Sequence, residues 1–452
     1  MSRPAYLEAV ADFLVGTRLA DLSADALWHA RWIVADCIPV VAAGMQTREM
    51  KAFAAAQLAQ AAPGNAWVLG TGKRASALDA GLLNGTAGTW LELDEGNLFT
   101  KGHPGIQVVP AAIAVAQERG ASGADLLLAA ALGYEVSGRI SRAADLPLTT
   151  HPHGTFGVMG AAIAVGKLKG FNRTQLREVV NVAATMAMAS SRNTLIEGST
   201  VRNIFTGHSA FMGQTAARLV ECGFTGGNDE VGWIYGRLLS KTFDPACVVE
   251  GMGKDWLIGK SYFKLHCTGR YVHSAIDALE DSLARAPGGK IDAAGIERVD
   301  VAAYSLAAGL SGKNITTSFG ARFSIPFALA TILHHGRSDT AGFEEAAVAN
   351  PAVQALVAKV FVRHEPSYDA AFPDRQLCDV VIRMKNGATH TGRCEVTKGE
   401  PANPHQSADL EGKFFRLGTP VWGEPVTRKL YDGCMKLEEI ADFRAFADSL
   451  AL

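Results

Sequence analysis

The sequence predicts a mainly α protein: a large all-helical domain over residues 1–267 and 399–452, with a smaller α+β domain inserted at 268–398. Three observations predict it. Up to about residue 225 the chain is a series of Ala-rich segments with apolar positions three and four apart. After about residue 265 short alternating runs appear, such as IERVDVAAY at 296–304. From about Ser407 helical spacing returns, which brings the tail back onto the first domain.

The elements follow in order. Helices are expected over 6–22 and 24–43, with Pro39 kinking the second. The Ala- and Leu-rich stretch 76–93 is a third, where Gly85 and Gly88 allow close neighbours. A helix over 109–118 follows His103 and is ended by Gly120, and Ser122 N-caps one that runs to 142. Further helices are expected at 155–169, 174–190 and 203–222. They are poor in charge and apolar nearly all round, the pattern of buried helices. Strands are expected at 296–304, 360–364, 378–384 and 389–397, the last two joined through Asn386-Gly387, a strong hairpin signal. Helices at 272–285 and 325–335 lie among them.

Composition excludes several classes. The 43 basic and 45 acidic residues nearly cancel, unlike the basic excess of a nucleic-acid binder. The seven cysteines are scattered and form no C-x-x-C pair, which reads as reduced thiols in a cytoplasm. No apolar run is expected to approach the ~20 residues of a membrane span, and the start has no apolar signal core.

Sites of the common cofactors are missing from the sequence. The stretch GKDWLIGKS at 253–261 has five bulky spacers where a phosphate loop has four small ones. There is no G-x-G-x-x-G between a strand and a helix, no G-x-S-x-G elbow, and no H-E-x-x-H. No metal and no cofactor are expected.

Two loops stand out instead: GHPG at 102–105 and HPHGTFG at 151–157. Each holds an imidazole on stiff backbone just before a buried helix, and the acidic stretch ELDEGN at 92–97 precedes the first. A third cluster, SYFKLHCTGRYVH at 261–273, packs Lys264, His266, Arg270, Tyr271 and His273 into the junction between the domains, a preferred place for a small-molecule pocket. The plain alternative there is a mixed-charge surface turn. If a helix starts near Thr268, Arg270 and His273 share a face; Arg270 would then fork onto a carboxylate and a partly desolvated Lys264 would serve as a base.

ELDEGN, GHPG, GYEV at 133–136, HPHGTFG running into GAAIAVGKLKGF, ECGFTGG, FKLHCTGRYVHSAIDAL and ARFSIPFALA occur in that order. Together they resemble the MmgE/PrpD family over essentially the whole chain. Its activities include dehydration of 2-methylcitrate, decarboxylation of cis-aconitate and epimerisation of iminodisuccinate. The resemblance implies a helical domain completed by the C-terminus, an α+β lid and a homodimer. It places His103 and His151 at pocket histidines, Lys264 at the FK lysine, Asp94 and Glu95 at paired acids, and Glu92 where a pocket Asp is usual. Arg202 stands where the decarboxylases have a lysine, and Gly269 where they have a further histidine. His266 is the nearby imidazole that would have to cover for it.

The shared chemical step is gain or loss of a proton at a carbon α to a carboxylate. The expected site therefore has Arg202 and Arg270, with His266 and His273 nearby, binding a small di- or tricarboxylate. Lys264 and His103 form the acid/base pair, His151 assists, Glu92 or Asp94 orients an imidazole, and Tyr271 donates. The leading expectation is a cofactor-independent lyase of the dehydratase type. An epimerase of an iminodisuccinate-like acid and a catalytically silent anion-binding protein are the alternatives.

Overall fold

The helix Pro104–Arg119 lies at the centre of the molecule, buried without a break from Pro104 to Gln117. A computed structural model describes residues 4–450. Around the central helix stand Ala24–Gly44, Ala77–Gly88, Gly123–Ala143, Gly157–Leu168 and Ile204–Glu221. Such a helix has no polar face to offer water, so only a full shell of helices satisfies it. Small residues bring that shell close. A Cβ on Gly85 would stand 2.9 Å from Gly207 Cα, and one on Gly133 would stand 2.4 Å from the Gly160 carbonyl oxygen.

Local signals set the boundaries. Ser122 accepts from the Asp125 amide and starts its helix as expected, and left-handed Gly120 ends the central one. Several expectations need correction. The first helix stops at Gly16, and the chain turns before a short 3-10 segment at Leu19–Asp21. The helix expected over 174–190 is Arg173–Ala184, because the next residues are bound elsewhere: Met188 N–H donates to Gly154 O and Ser190 O accepts from His151 N–H. A small hairpin, Ala66–Val68 with Lys73–Ala75, interrupts the helices.

The second core draws on residues 267–394, plus Val40, Leu91, Leu93 and Leu417. Its sheet has the order 360–364, 296–303, 378–384, 389–394. Ile296–Ala303 pairs in parallel with Val360–His364 and antiparallel with Cys378–Met384. Asn386-Gly387 turns the hairpin, with Gly387 at φ +86°, and its second strand ends at Cys394, short of 397. The helix His273–Arg285 covers this hairpin. Gly392 is required there, since a Cβ would meet the Ala278 carbonyl at 1.9 Å.

The helix Ser407–Trp422 returns to pack on Ala24–Gly44. Ala24–Gly44 is 21 residues long and apolar enough to cross a membrane by length and composition, contrary to the expectation that no run approaches that length. Here it is mostly buried in protein and carries Asp36, whose Oδ1 is 2.5 Å from Lys413 Nζ. Lys413 also donates to Leu93 O at 2.6 Å.

The close helix crossings make a stability prediction. Gly207→Ala puts a Cβ 2.6 Å from the Leu82 carbonyl oxygen and should cost about 1–3 kcal/mol by overpacking. Gly412→Ala, exposed in mid-helix with open space around it, should gain about 0.5–1 kcal/mol. Chemical denaturation of both variants checks the pair; equal effects would refute the packing account.

Candidate active site

The chain leaves the Ala77–Gly88 helix into a buried loop, 89–103, that carries most of the charged side chains of the site. Two antiparallel bridges fix this loop. Gly96 pairs with Tyr262, and Asn97 with Gly102. Asn97 Oδ1 accepts from the Phe99 and Thr100 amides, while its Nδ2 donates to Leu257 O. Glu92 and Lys101 adopt left-handed backbone, φ +53° and +57°, a conformation that strains non-glycine residues and concentrates at functional sites. The Gly96–Tyr262 bridge sets Lys264 beside the acidic loop.

The result is a buried row of alternating charge. Arg202 Nη1 is 2.7 Å from Glu92 Oε1. Glu92 Oε2 is 3.5 Å from Lys264 Nζ, which is 3.4 Å from Asp94 Oδ1. Asp94 Oδ2 is 2.8 Å from His103 Nδ1. Burial opposes the charge on Asp94, but Lys264, His103 and Arg202 outweigh it and hold the carboxyl below its ordinary range.

His103 is the N-cap residue of the central helix, with Pro104 at its first position. Its Nδ1 is 2.6 Å from Glu95 O and 2.8 Å from Asp94 Oδ2, two acceptors that call for a ring proton on Nδ1. Nε2 lies 3.4 Å from the Tyr262 hydroxyl. Glu95 supports this corner, accepting from the Gly105 amide at 2.6 Å and from the Tyr134 hydroxyl at 3.3 Å. Burial, reinforced by Asp94, pushes the Glu95 carboxyl up to about 8.

A cavity of about 310 Å³ opens against this row, lined by Glu92, His103, His151, His153, Arg202 and Tyr262, among others. His151 receives the His153 amide on Nδ1 and faces Arg202 Nε across 3.3 Å from Nε2. Burial and the Arg202 charge push both His151 and His153 well below the ordinary imidazole range, so both rings are neutral. Neither His153 nitrogen has a hydrogen-bond partner among the described residues. The His153 ring stands 5.0 Å from that of His103 and 4.4 Å from that of His151.

The structure brings Glu92, His103, His151, Arg202, Arg270 and Tyr271 to one cavity. Lys264 and Asp94 stand behind its wall, where Lys264 is shared by two carboxylates. Arg270 does fork onto a carboxylate, but that of Glu400: Nε and Nη2 both donate to Glu400 Oε1, at 2.9 and 2.7 Å. Its face covers Tyr262 at 4.3 Å. His273 does contact Arg270, at 3.3 Å, but lies outside the cavity lining with Nε2 toward Thr268 O. His266 does not replace the imidazole missing at Gly269. The bonds Cys267 N–H to Ser338 O and Gly269 N–H to Arg322 O pin this segment, and His266 Nδ1 pairs with Ser338 Oγ at 2.6 Å, away from the cavity.

Sequence reading missed His153 and Arg192 as site residues. His153 was legible only as the middle of HPHG. Arg192 arrives through the Thr150–Ser191 bridge, a contact with no local signature. Asp94, His103 and His153 present ligand atoms within 4.8 Å of one another and are the set here that could hold a cation; His266, Asp277 and Glu280 form a second.

Two family models match the chain: the MmgE/PrpD N-terminal domain over residues 8–236 and the MmgE/PrpD C-terminal domain over 266–437. The chain is 25% identical over 378 residues to cis-aconitate decarboxylase of Mus musculus, covering 80% of this chain and 76% of that protein. It is 24% identical over 456 residues to cis-aconitate decarboxylase of Aspergillus terreus, covering 95% and 92%.

Glu95 makes the fold pH-dependent. Folded, it keeps its proton to about pH 8, against 4.5 for the ordinary side chain. The unfolded chain binds fewer protons between these values, so this contribution to stability is full below pH 4.5 and is lost as pH rises to about 8. Relative to Glu95→Gln, the wild type should lose up to about 1.4 kcal/mol per pH unit in that window. Urea unfolding of both proteins at pH 5, 6.5 and 8 measures this; a constant difference would refute it.

Proposed function

Because the chain belongs to the MmgE/PrpD family, we propose that it is a cofactor-independent lyase of the dehydratase type, moving a proton at a carbon α to a carboxylate of a small polycarboxylate. The observation that carries this reading is His103. Its Nδ1 is committed to Glu95 O, with Asp94 2.8 Å away, and its Nε2 stands 3.4 Å from the hydroxyl of Tyr262, which lines the cavity with it. A base oriented by a carbonyl and backed by a carboxylate is suited to take a proton from carbon.

In this reading Arg202 holds the carboxylate next to the reacting carbon, offsetting the enolate-like charge that develops there. His103 Nε2 takes the α-proton. The C–H electron pair forms the C=C bond, and the C–O bond to the β-hydroxyl breaks. The imidazolium, held by Asp94, returns its proton to the hydroxyl, which leaves as water. Lys264 is a positioning residue: it stands between the buried carboxyl groups of Glu92 and Asp94, 3.5 and 3.4 Å from them, and holds both in place. The relatives are named as cis-aconitate decarboxylases, so product identity, alkene with or without loss of CO₂, is part of the test. The family resemblance also underlies our expectation of a homodimer, and the scattered cysteines that of a cytoplasmic location.

The experiment is incubation with candidate di- and tricarboxylates in D₂O, following α-proton exchange by NMR and C=C formation by absorbance. A lyase gives both; exchange with no alkene favours epimerisation; tight binding with no exchange of any acid sinks the enzymatic reading. His103→Ala should lower the exchange rate about 10²–10⁴-fold, with KM little changed. Unchanged turnover in that variant would remove His103 from the mechanism.

A further inference from the structure

The cavity changes character along its depth. Its inner wall is buried and polar: Glu92, Arg202, His151 and His153. Its outer wall is apolar and open. Leu148 is 68% exposed there, Leu195, Leu306 and Phe372 are half-buried, and Leu310 completes the wall. Gly269 also lines it, and a Cβ at that position would stand 2.7 Å from the Phe323 ring. The missing side chain is what admits that ring.

The charges are distributed just as unevenly. Inside, Arg202 and Lys264 are matched by Glu92 and Asp94, and Arg270 is closed by Glu400. Toward the mouth, Lys101 gives Nζ to Ala144 O at 2.8 Å, and Asp145 adds a negative charge. Arg192 differs from all of these. Its guanidinium has no hydrogen-bonded or ion-paired partner among the described residues, and the Tyr271 ring lies 5.9 Å from it. A compact trianion would enter a site whose inner cations are already neutralised, and the cost of bringing its third carboxylate out of water would go unmatched.

We propose, resting on the reaction assigned above, that the substrate is a dicarboxylic acid bearing an apolar arm. One carboxylate lies against Arg202 and the second against Arg192. The arm runs along the wall formed by Leu148, Leu306 and Phe372. Removing such an arm from water gives the enzyme selectivity that inner charges, already paired with each other, do not supply.

The test uses the whole chain and a series of 3-alkylmalates (methyl, propyl, pentyl), with citrate as the compact tricarboxylate. Binding is read by calorimetry and α-proton exchange by NMR. Affinity should rise about fourfold per buried methylene, and citrate should bind more weakly than the pentyl acid. Leu306→Asn should flatten the series. Leu148→Asn, at an exposed position where folding is not at stake, should reduce its slope, and Arg192→Gln should weaken every member about tenfold or more. A flat series, or a preference for citrate, overturns the inference even when exchange is intact. Affinity that rises with chain length without exchange overturns the reaction and leaves the substrate class standing. No binding of any of these acids overturns both.

Discussion

The site depends on one constraint: charges taken out of water must be placed so that each is answered by its neighbours. The row Arg202, Glu92, Lys264, Asp94 meets it by alternating sign at 2.7–3.5 Å, and Asp94 ends it against His103 Nδ1 at 2.8 Å. No member is independent. Removing Lys264 would leave two buried carboxylates facing each other, and losing one partner of a buried pair is far more costly than the pair is worth. The row is therefore a specification of geometry more than a source of stability.

The rest of the fold supplies what this row needs. Three separate stretches must converge: the 89–103 loop, the 262–264 segment and the start of the Ile204–Glu221 helix. The Gly96–Tyr262 bridge joins the first two. The third is drawn in by glycine-to-glycine helix crossings, and Thr206 adds a hydrogen bond to Gly85 O at 2.6 Å. The central helix places His103 at its N-terminal end, and Glu95 satisfies the amide of Gly105 in its first turn. A buried helical scaffold thus holds a polar loop rigid enough to fix an imidazole in one tautomer.

Much of this was legible in the sequence because it rests on local chemistry. Pro and Gly around His103 and His151 marked stiff loops, Ser122 marked a helix start, and Asn386-Gly387 marked the hairpin. The three-residue strands at 66–75 were too short to show alternation. The overrun to 190 followed apolar spacing past Ala184, where distant backbone partners take over. Arg270 was expected to hold a carboxylate of the substrate; the carboxylate it meets is that of Glu400, 130 residues away, and no spacing rule reaches that partner. Arg192 was invisible for the same reason.

The bond from Lys413 to the Leu93 carbonyl spans 320 residues. It joins the middle of the acidic loop to a helix synthesised 320 residues later. At about 5–20 residues per second, roughly 16–64 s separate the synthesis of these two partners. Through that interval Asp36 and the loop lack the ammonium that answers them, so the helical part emerges with its future active centre unfinished. Assembly of the site is thus timed by the ribosome, and the nascent chain has no way to become a working centre before its own closing helix arrives.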